Sequence, residues 1–354
     1  MLNMKNIFMA LLMLGACATT FADEGESIVF NSTTGNYLIT HYSAIDKKFE
    51  QFIFVPATKI TPTLNSKLKL QDDGVIHYDY TLISGRDSQQ NIVHIIFDPI
   101  SSVTSPMPDI PLNAPPGKIM GDMMAVAKYF DTPMPWRSSL AYSDGQKSFR
   151  IGWRTLVANG MHPGGQATFG FKSHDLPGII QVAVYGYAPD SQEIDGEEIP
   201  DSPKDAGDDP FWKQYFSLLH NNFVRRSAAV PTISVTNPFD AAALLSSIQT
   251  QMHTWIGMNL LDATFSSQLD RYFQSAISAY RLNQPRVGKQ QIEAMRELIR
   301  KEQPDMGRDE EHESDKNHEK KDDRKSALID RLAARVLDFD LEYVTKRMGK
   351  DKDD

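Results

Sequence analysis

The sequence predicts an α+β multidomain protein, in which an N-terminal antiparallel β-sandwich is followed by a C-terminal α-helical bundle. Strand-like runs separated by turn signals recur about every ten residues between positions 27 and 188. After position 237 the apolar residues recur instead with the 3.6-residue period of amphipathic helices. Residues 189–236 lie between these two parts and combine an acidic linker, an amphipathic helix and an extended segment.

Residues 74–84 predict the central strand of the first domain. Ile76, Tyr78, Tyr80 and Leu82 alternate with other residues, so one face of the strand is apolar and the other is mixed. A turn-like sequence at 84–88 and a second apolar run at 92–97 follow. We therefore expect a hairpin of these two segments, onto which the other strands of a β-sandwich are built.

The other strand-like segments are bounded by glycine, asparagine or aspartate turns. They are residues 27–30, 37–42, 51–55, 67–70, 138–142, 149–156, 166–173 and 179–187. Five prolines between 106 and 116 interrupt them and predict an extended crossing that cannot be a central strand. The methionine-containing segment 117–130 predicts one short helix, which packs the crossing or forms an adaptable binding surface.

Several of these strand motifs occur in a fixed order. The pattern runs from Tyr78-x-Tyr80-Thr81-Leu82 through a later Ile151-x-Trp153 to Pro163-Gly164 and Phe169-Gly170-Phe171-x-Ser173. In this order the motifs resemble an exported bacterial Ig-like β-sandwich family over about residues 36–188. The resemblance implies the fold and brings no catalytic residue with it.

Residues 189–210 predict a solvated acidic linker. This segment contains nine acidic residues and a single basic residue, Lys204. The acidic residues are Asp190, Glu193, Asp195, Glu197, Glu198, Asp201, Asp205, Asp208 and Asp209. Clustered carboxylates can also hold calcium, although the ordered Asp-x-Asp-x-Asp-Gly spacing is missing. After the linker, the aromatic stripe that begins at Phe211 predicts an amphipathic helix against the sandwich.

Residues 237–347 predict a helical bundle with a charged insert at 302–325. We expect Asn237 to cap the first helix, the second to begin near Ser266, a break at Asn283, and a last helix over 326–347. Leu269, Phe273 and Ala276 lie on the apolar stripe of the second helix; Ile292, Met295 and Leu298 follow on the third, and Leu328-Ile329 lead into the last. This part resembles the FIMAH-type helical domain of secreted bacterial proteins, which implies an accessory or adhesive module.

The first 22 residues predict a secretory signal peptide. Lys5 precedes a short apolar run, and Thr20-Phe21-Ala22 resembles a signal-peptidase site before Asp23. Leu14-Gly15-Ala16-Cys17 resembles a bacterial lipobox instead, in which Cys17 is lipidated. We expect export across the inner membrane, to the periplasm, the outer membrane or the exterior, and membrane attachment only through a lipid on Cys17.

Composition and motifs narrow the function classes. The formal net charge of −9 and the lack of a basic stripe exclude a nucleic-acid partner. Cys17 is the single cysteine, and the sequence contains no zincin, nucleophile-elbow or P-loop motif. We assign no catalytic, cofactor-binding or metal-binding residue. His77 with Asp79 is interpreted as a solvent-facing pair, His162 as an ordinary turn residue, and His312 and His318 as solvated histidines.

The leading hypothesis is an exported, non-enzymatic protein for binding or adhesion, with an envelope protein or a glycan as partner. The alternative is a carbohydrate-active or hydrolase accessory protein, in which Trp136 and Tyr142 stack on sugar rings. A third hypothesis is a structural envelope lipoprotein, which requires a lipid on Cys17.

Overall fold

The computed structural model describes residues 25–72, 74–100, 130–143, 148–156, 160–188, 194, 196, 198–201, 204–306 and 327–350. Backbone contacts divide the chain into two compact units. The first comprises Met1–Ile60, Gln89–Asn91 and Tyr185–Val224, and the second comprises Thr61–Ser88, Ile92–Val184 and Arg225–Asp354. The predicted boundaries at 188 and 237 follow composition, and as boundaries of independently folding domains they stay a prediction.

The described residues form eleven strands followed, apart from one helix between the last two strands, by helices. The strands are β1 (Ser27–Asn31), β2 (Asn36–Ser43), β3 (Lys48–Phe54), β4 (Pro62–Leu70), β5 (Ile76–Ser84), β6 (Ile92–Ile100), β7 (Arg137–Ser143), β8 (Ser148–Arg154), β9 (Gln166–Ser173), β10 (Leu176–Gly186) and β11 (Val224–Ile233). The helices are α1 (Pro210–His220), α2 (Ala241–Gly257), α3 (Ala263–Arg281), α4 (Pro285–Glu302) and α5 (Arg331–Lys350).

The first unit contains a three-stranded antiparallel sheet in the order β1-β2-β3. Its inner face packs against α1, and the shared core consists of Ile28, Ile39, Phe52, Phe54, Ile194, Phe211 and Tyr215. Asp209 caps α1, because its carboxylate accepts a hydrogen bond from the Phe211 N–H at 2.8 Å. The amphipathic helix predicted from Phe211 onward is thereby confirmed.

Two further antiparallel sheets have the orders β4-β5-β9 and β11-β10-β6-β8-β7. The alternation predicted for β5 is confirmed, since alternate residues from Ile76 to Ser84 are buried. The predicted hairpin of β5 with β6 is wrong. β5 pairs with β4 and β9, whereas β6 pairs with β8 in the other sheet. The turn at 84–88 therefore carries the chain from one sheet to the other.

Aromatic rings connect these two sheets inside the second unit. The Tyr80 ring lies 4.5 Å from that of Phe97, and the Trp153 ring lies 5.3 Å from that of Phe169. Ring pairs at such separations add roughly 1 kcal/mol each beyond the apolar area they bury. The core of this unit consequently sits between the aromatic faces of β5 and β9 on one side and of β6 and β8 on the other.

Three helices start at residues other than those that the sequence predicts. Asp240, and not Asn237, caps α2 by accepting from the Ala243 N–H at 2.9 Å. Asp262 caps α3, which starts at Ala263 instead of Ser266. The last helix starts at Arg331 because Ile329 is still extended and bridges to Leu261. No helix in the described ranges combines the length and apolarity that a bilayer span requires. Sheets followed by helices confirm the α+β class.

Helix α5 carries carboxylates in two contrasting environments. Asp338 accepts a hydrogen bond from Arg296 Nε at 2.8 Å, and Glu342 accepts one from Arg296 Nη2 at 2.8 Å. Asp340 is fully buried, and within the described part of the chain neither of its oxygens has a hydrogen-bond partner. Burial raises the pKa of Asp340 well above its ordinary value. Between the unfolded and the folded pKa, Asp340 therefore keeps a proton in the folded protein that the unfolded chain releases.

We predict that Asp340→Asn stabilises the protein at pH 7 by about 1–3 kcal/mol, because the neutral amide has the shape of the acid but no charged form that burial disfavours. The raised pKa destabilises the fold increasingly as pH rises above the unfolded value of about 3.9, so the advantage of the variant grows from pH 4 to pH 7. Urea unfolding of both proteins from pH 4 to pH 7 measures this difference in stability. Asp338→Asn is the matched control and lowers stability, because it removes one of the two negative charges that accept hydrogen bonds from the nearly buried Arg296. A destabilised Asp340→Asn protein at pH 7 would contradict the assignment.

Candidate functional site

The outward face of the β1-β2-β3 sheet is an exposed apolar surface. Of the eleven exposed large hydrophobic residues in the described chain, seven lie in this sheet and its turn, with exposures of 41–57%. Five of the seven point to the side opposite α1. These five define what we call the outer face: Val29, Leu38, Tyr42, Phe49 and Ile53.

The outer face is built as two apolar rows with a polar row between them. Val29, Leu38 and Ile53 are register partners across all three strands, and Tyr42 is paired with Phe49. The Tyr42 and Phe49 rings meet edge to face at 5.4 Å. Directly paired side chains on a sheet lie about 5 Å apart, so each row is continuous.

A buried carboxylate holds the turn at one end of the outer face. Glu198 accepts hydrogen bonds from the Ser43 hydroxyl at 2.7 Å and from the Ile45 N–H at 3.0 Å. Its side chain is only 6% exposed and lies 3.7 Å from His41 Nδ1. Burial alone would raise the pKa of Glu198, but the bonds from Ile45 and Ser43, with the nearby imidazole, outweigh it and lower the pKa. This residue of the predicted solvated linker is thus a fixed structural anion.

An imidazole–carboxylate cluster lies on the sheet of the second unit. His77 and Asp79 are two residues apart on β5, so both side chains project from the solvent side of that strand. Asp131 reaches them because its backbone exchanges two hydrogen bonds with Gly170 of β9, at 2.8 and 3.1 Å. Gly170 is in turn the register partner of Asp79.

The three side chains converge closely. His77 Nε2 lies 2.8 Å from Asp131 Oδ2 and 3.5 Å from Asp79 Oδ1. All three ligand atoms lie within 4.8 Å of one another, an arrangement that could hold a metal ion. The His77 and Asp131 side chains are 22% and 63% exposed, so the cluster is open to solvent on one side.

A cleft of about 550 Å³ lies within the first unit, between the β1–β2 turn, the end of β3 and the end of α1. Its apolar wall consists of Phe30, Tyr37 and Phe54, and its polar wall includes Asn221 and Asn222. Aromatic rings next to amides are a common arrangement for small polar ligands. The Asn222 amide oxygen is already engaged, because it accepts a hydrogen bond from the Ala57 N–H at 2.5 Å.

The sugar-stacking role predicted for Trp136 is wrong. Its side chain is 6% exposed, and its ring packs edge-on against Phe169 at 5.0 Å. Tyr142 belongs to β7, but its side chain lies outside the described residues. His162 is exposed on its turn, as predicted. The pair formed by His77 and Asp79 is only partly solvent-facing, because Asp131 contacts the imidazole.

Several predicted features lie outside the described residues. They are the signal segment with Cys17, the proline crossing, the methionine segment up to residue 129, most of the acidic linker, and the charged insert with His312 and His318. The prediction of a signal peptide or a lipid at Cys17 consequently stays a prediction.

Sequence reasoning missed the outer face and the third member of the cluster. A signal for the outer face was present, since Ile28-Val29-Phe30 and Phe52-Ile53-Phe54 are uninterrupted apolar runs. Such runs are typical of strands that are covered on both faces. Asp131 gives no such signal, because it joins the cluster through a backbone bridge to a strand nearly forty residues later.

Comparisons with protein-family models, with curated proteins and with solved structures gave no match to this chain. The resemblances to an exported Ig-like β-sandwich family and to the FIMAH-type helical domain stay predictions.

We predict that Glu198→Gln destabilises the first unit by about 1 kcal/mol at pH 7, because the amide replaces a charged acceptor of two hydrogen bonds. The lowered pKa means that the carboxylate stabilises the fold above the unfolded value of about 4.3 and ceases to do so as pH falls through the folded value. Urea unfolding from pH 7 downward should show a difference from wild type that is largest at pH 7 and shrinks as the pH falls through the lowered pKa. An equal loss of unfolding free energy at every pH would show that altered side-chain geometry, and not the lost charge, is responsible.

Proposed function

We propose that this chain is an exported, non-enzymatic binding or adhesion protein of the bacterial cell envelope or exterior, and that its outer face binds another protein. The observation that carries the proposal is the concentration of exposed apolar side chains on one sheet face. Large exposed apolar patches on soluble proteins mark interaction surfaces.

The chemistry of the outer face favours a protein partner over a glycan. One of its two rows is purely aliphatic, formed by Val29, Leu38 and Ile53. Aliphatic side chains offer sugars neither a flat ring for stacking nor hydrogen bonds. They match the apolar centre of a protein interface, where charged side chains are depleted.

The size of the outer face sets a requirement for the partner. Three strands about 4.8 Å apart and roughly six residues long cover about 14 Å by 20 Å. A stable interface buries about 800 Å² on each partner. The outer face is smaller than that, so it supplies the apolar centre, and the partner must also contact polar residues around it.

The finer description of the scaffold is part of the proposal. An Ig-like β-sandwich is supported by the ring contacts between the β4-β5-β9 sheet and the five-stranded sheet. A FIMAH-like helical bundle is supported by the packing of α2 on α3, of α3 on α4, and of α5 on both α2 and α4. The signal-like first 22 residues support export. Mass spectrometry of the mature protein, with a start at Asp23 or a diacylglyceryl group on Cys17, distinguishes a free protein from an envelope lipoprotein.

We predict that the double variant Leu38→Lys with Ile53→Lys abolishes partner binding and leaves stability within about 1 kcal/mol of wild type, because both side chains are already exposed. Photo-crosslinkers placed at Val29 and Phe49 in cells identify the partner, and titration with that purified partner measures the loss. Thr63→Lys with Thr168→Lys is the matched control, since it adds the same charge at exposed strand positions of another sheet.

Equal affinity of the Leu38/Ile53 variant and of the control would refute the outer face as a binding surface. Analytical ultracentrifugation of the purified protein tests the alternative, in which a second copy of this chain binds the outer face. A dimer that the Leu38/Ile53 variant abolishes would assign the surface to self-association instead of to a second protein.

A second candidate is glycan binding in the first-unit cleft, which the rings of Phe30 and Tyr37 next to polar side chains favour. A glycan array tests it. Binding that Tyr37→Ala removes and the Leu38/Ile53 variant leaves unchanged would support a carbohydrate-active accessory role.

A further inference from the structure

We propose that His77, Asp79 and Asp131 form a binding site for a divalent transition-metal ion, for which Zn²⁺ is a suitable probe. The site lies in the second unit and is independent of the outer face, so either proposal can fail without the other.

The spacing of the three ligand atoms matches a coordination polyhedron. Zinc lies about 2.0–2.2 Å from nitrogen and oxygen ligands, which places neighbouring ligand atoms about 3.0–3.4 Å apart in octahedral or tetrahedral geometry. His77 Nε2 lies 2.8 Å from Asp131 Oδ2 and 3.5 Å from Asp79 Oδ1. The third pair, Asp79 and Asp131, lies within 4.8 Å, so side-chain rotations can bring all three atoms around one ion.

The backbone fixes the three ligands independently of any ion. β5 holds His77 and Asp79 on one face, and the two hydrogen bonds with Gly170 hold Asp131 beside them. Thr132, the next residue, accepts a hydrogen bond from Trp153 Nε1 at 3.1 Å, which ties this segment to the core. Pre-positioned ligands reduce the entropy lost on binding.

Gly170 has no side chain that would contact the two carboxylates. A Cβ at this position would lie 3.0 Å from Asp131 Oδ2 and 3.1 Å from Asp79 Oδ1, closer than side chains ordinarily allow. Any other residue would displace both carboxylates. The glycine thus permits the close approach of the two acids to the imidazole.

The ligand types select the class of ion. One imidazole nitrogen with two carboxylate oxygens suits zinc, iron and manganese, whereas calcium and magnesium prefer oxygen ligands alone. The two carboxylates match the charge of a divalent ion when the imidazole is neutral. The ligands cover one side of the ion, and its remaining positions face solvent because Asp131 is largely exposed.

Three lysines share this face of the sheet and weaken the site. Lys67 is the register partner of Asp79, and Lys69 and Lys172 are those of His77. Their positive charges oppose a cation, so we expect weaker binding than at a closed four-ligand zinc site. Lys67→Gln should accordingly tighten binding.

The test is isothermal titration of Zn²⁺ into the metal-free full-length protein. We expect one ion per chain at this site and a loss of affinity of about tenfold or more for His77→Ala and for Asp131→Asn. Gly170→Ala should weaken binding too. Zn²⁺ should also raise the melting temperature of wild type by more than that of Asp131→Asn, because a ligand stabilises the folded state in proportion to the logarithm of its occupancy ratio.

His253→Ala is the matched control. His253 Nε2 also lies 2.8 Å from a carboxylate, Asp270 Oδ1, but that pair is described without a third ligand in reach. The double variant His312→Ala with His318→Ala controls for capture of zinc by the charged insert. Unchanged binding in both controls supports the site. The absence of zinc binding by wild type, or loss of binding only in a control, would overturn it.

Discussion

The second unit depends on the burial of two tyrosine hydroxyls on β5. Tyr78 and Tyr80 are fully buried, and each donates one hydrogen bond to a backbone carbonyl, Tyr78 to Asp175 at 2.7 Å and Tyr80 to Ala229 at 2.8 Å. Burial raises the pKa of both phenols well above the ordinary value, so both stay protonated donors. An unpaired buried hydroxyl costs about 1–3 kcal/mol. These two bonds thus fix the orientation of β5, and the same orientation directs His77 and Asp79 outward.

The sequence revealed the local features of this arrangement and missed the non-local ones. The alternation around Tyr78 and Tyr80 correctly predicted which face of β5 is buried, because alternation is a property of the strand itself. The pairing partner was wrong, since the turn at 84–88 suggested a hairpin, whereas packing pairs β5 with β9. Asp131 was missed for the same reason. Its position depends on a backbone bridge to Gly170, and no residue near Asp131 in the sequence indicates that bridge.

The cap of a helix and the burial of a charged residue were also beyond prediction from the sequence. Asn237 and Asp240 both lie close to the start of α2, and only the geometry shows that the Asp240 carboxylate accepts from the Ala243 N–H. Helix α5 places Asp338 and Glu342 on one face, and Asp340 lies about half a turn away. The helical period therefore puts the two acids that pair with Arg296 and the buried acid on different faces of the helix. That Asp340 is buried without a partner contradicts the usual rule for charged residues and could be found only from the structure.

The first unit assembles from segments that are far apart in the chain. Its three strands are joined by short turns, yet the inner face is covered by α1, and the turn of β2 and β3 is held by Glu198, 155 residues after Ser43. At translation rates of about 5–20 residues per second, these covering residues emerge roughly 8–30 seconds after the sheet. Throughout that interval both faces of the nascent sheet are apolar and uncovered. A growing chain with two apolar sheet faces is therefore prone to aggregation until α1 and Glu198 have emerged.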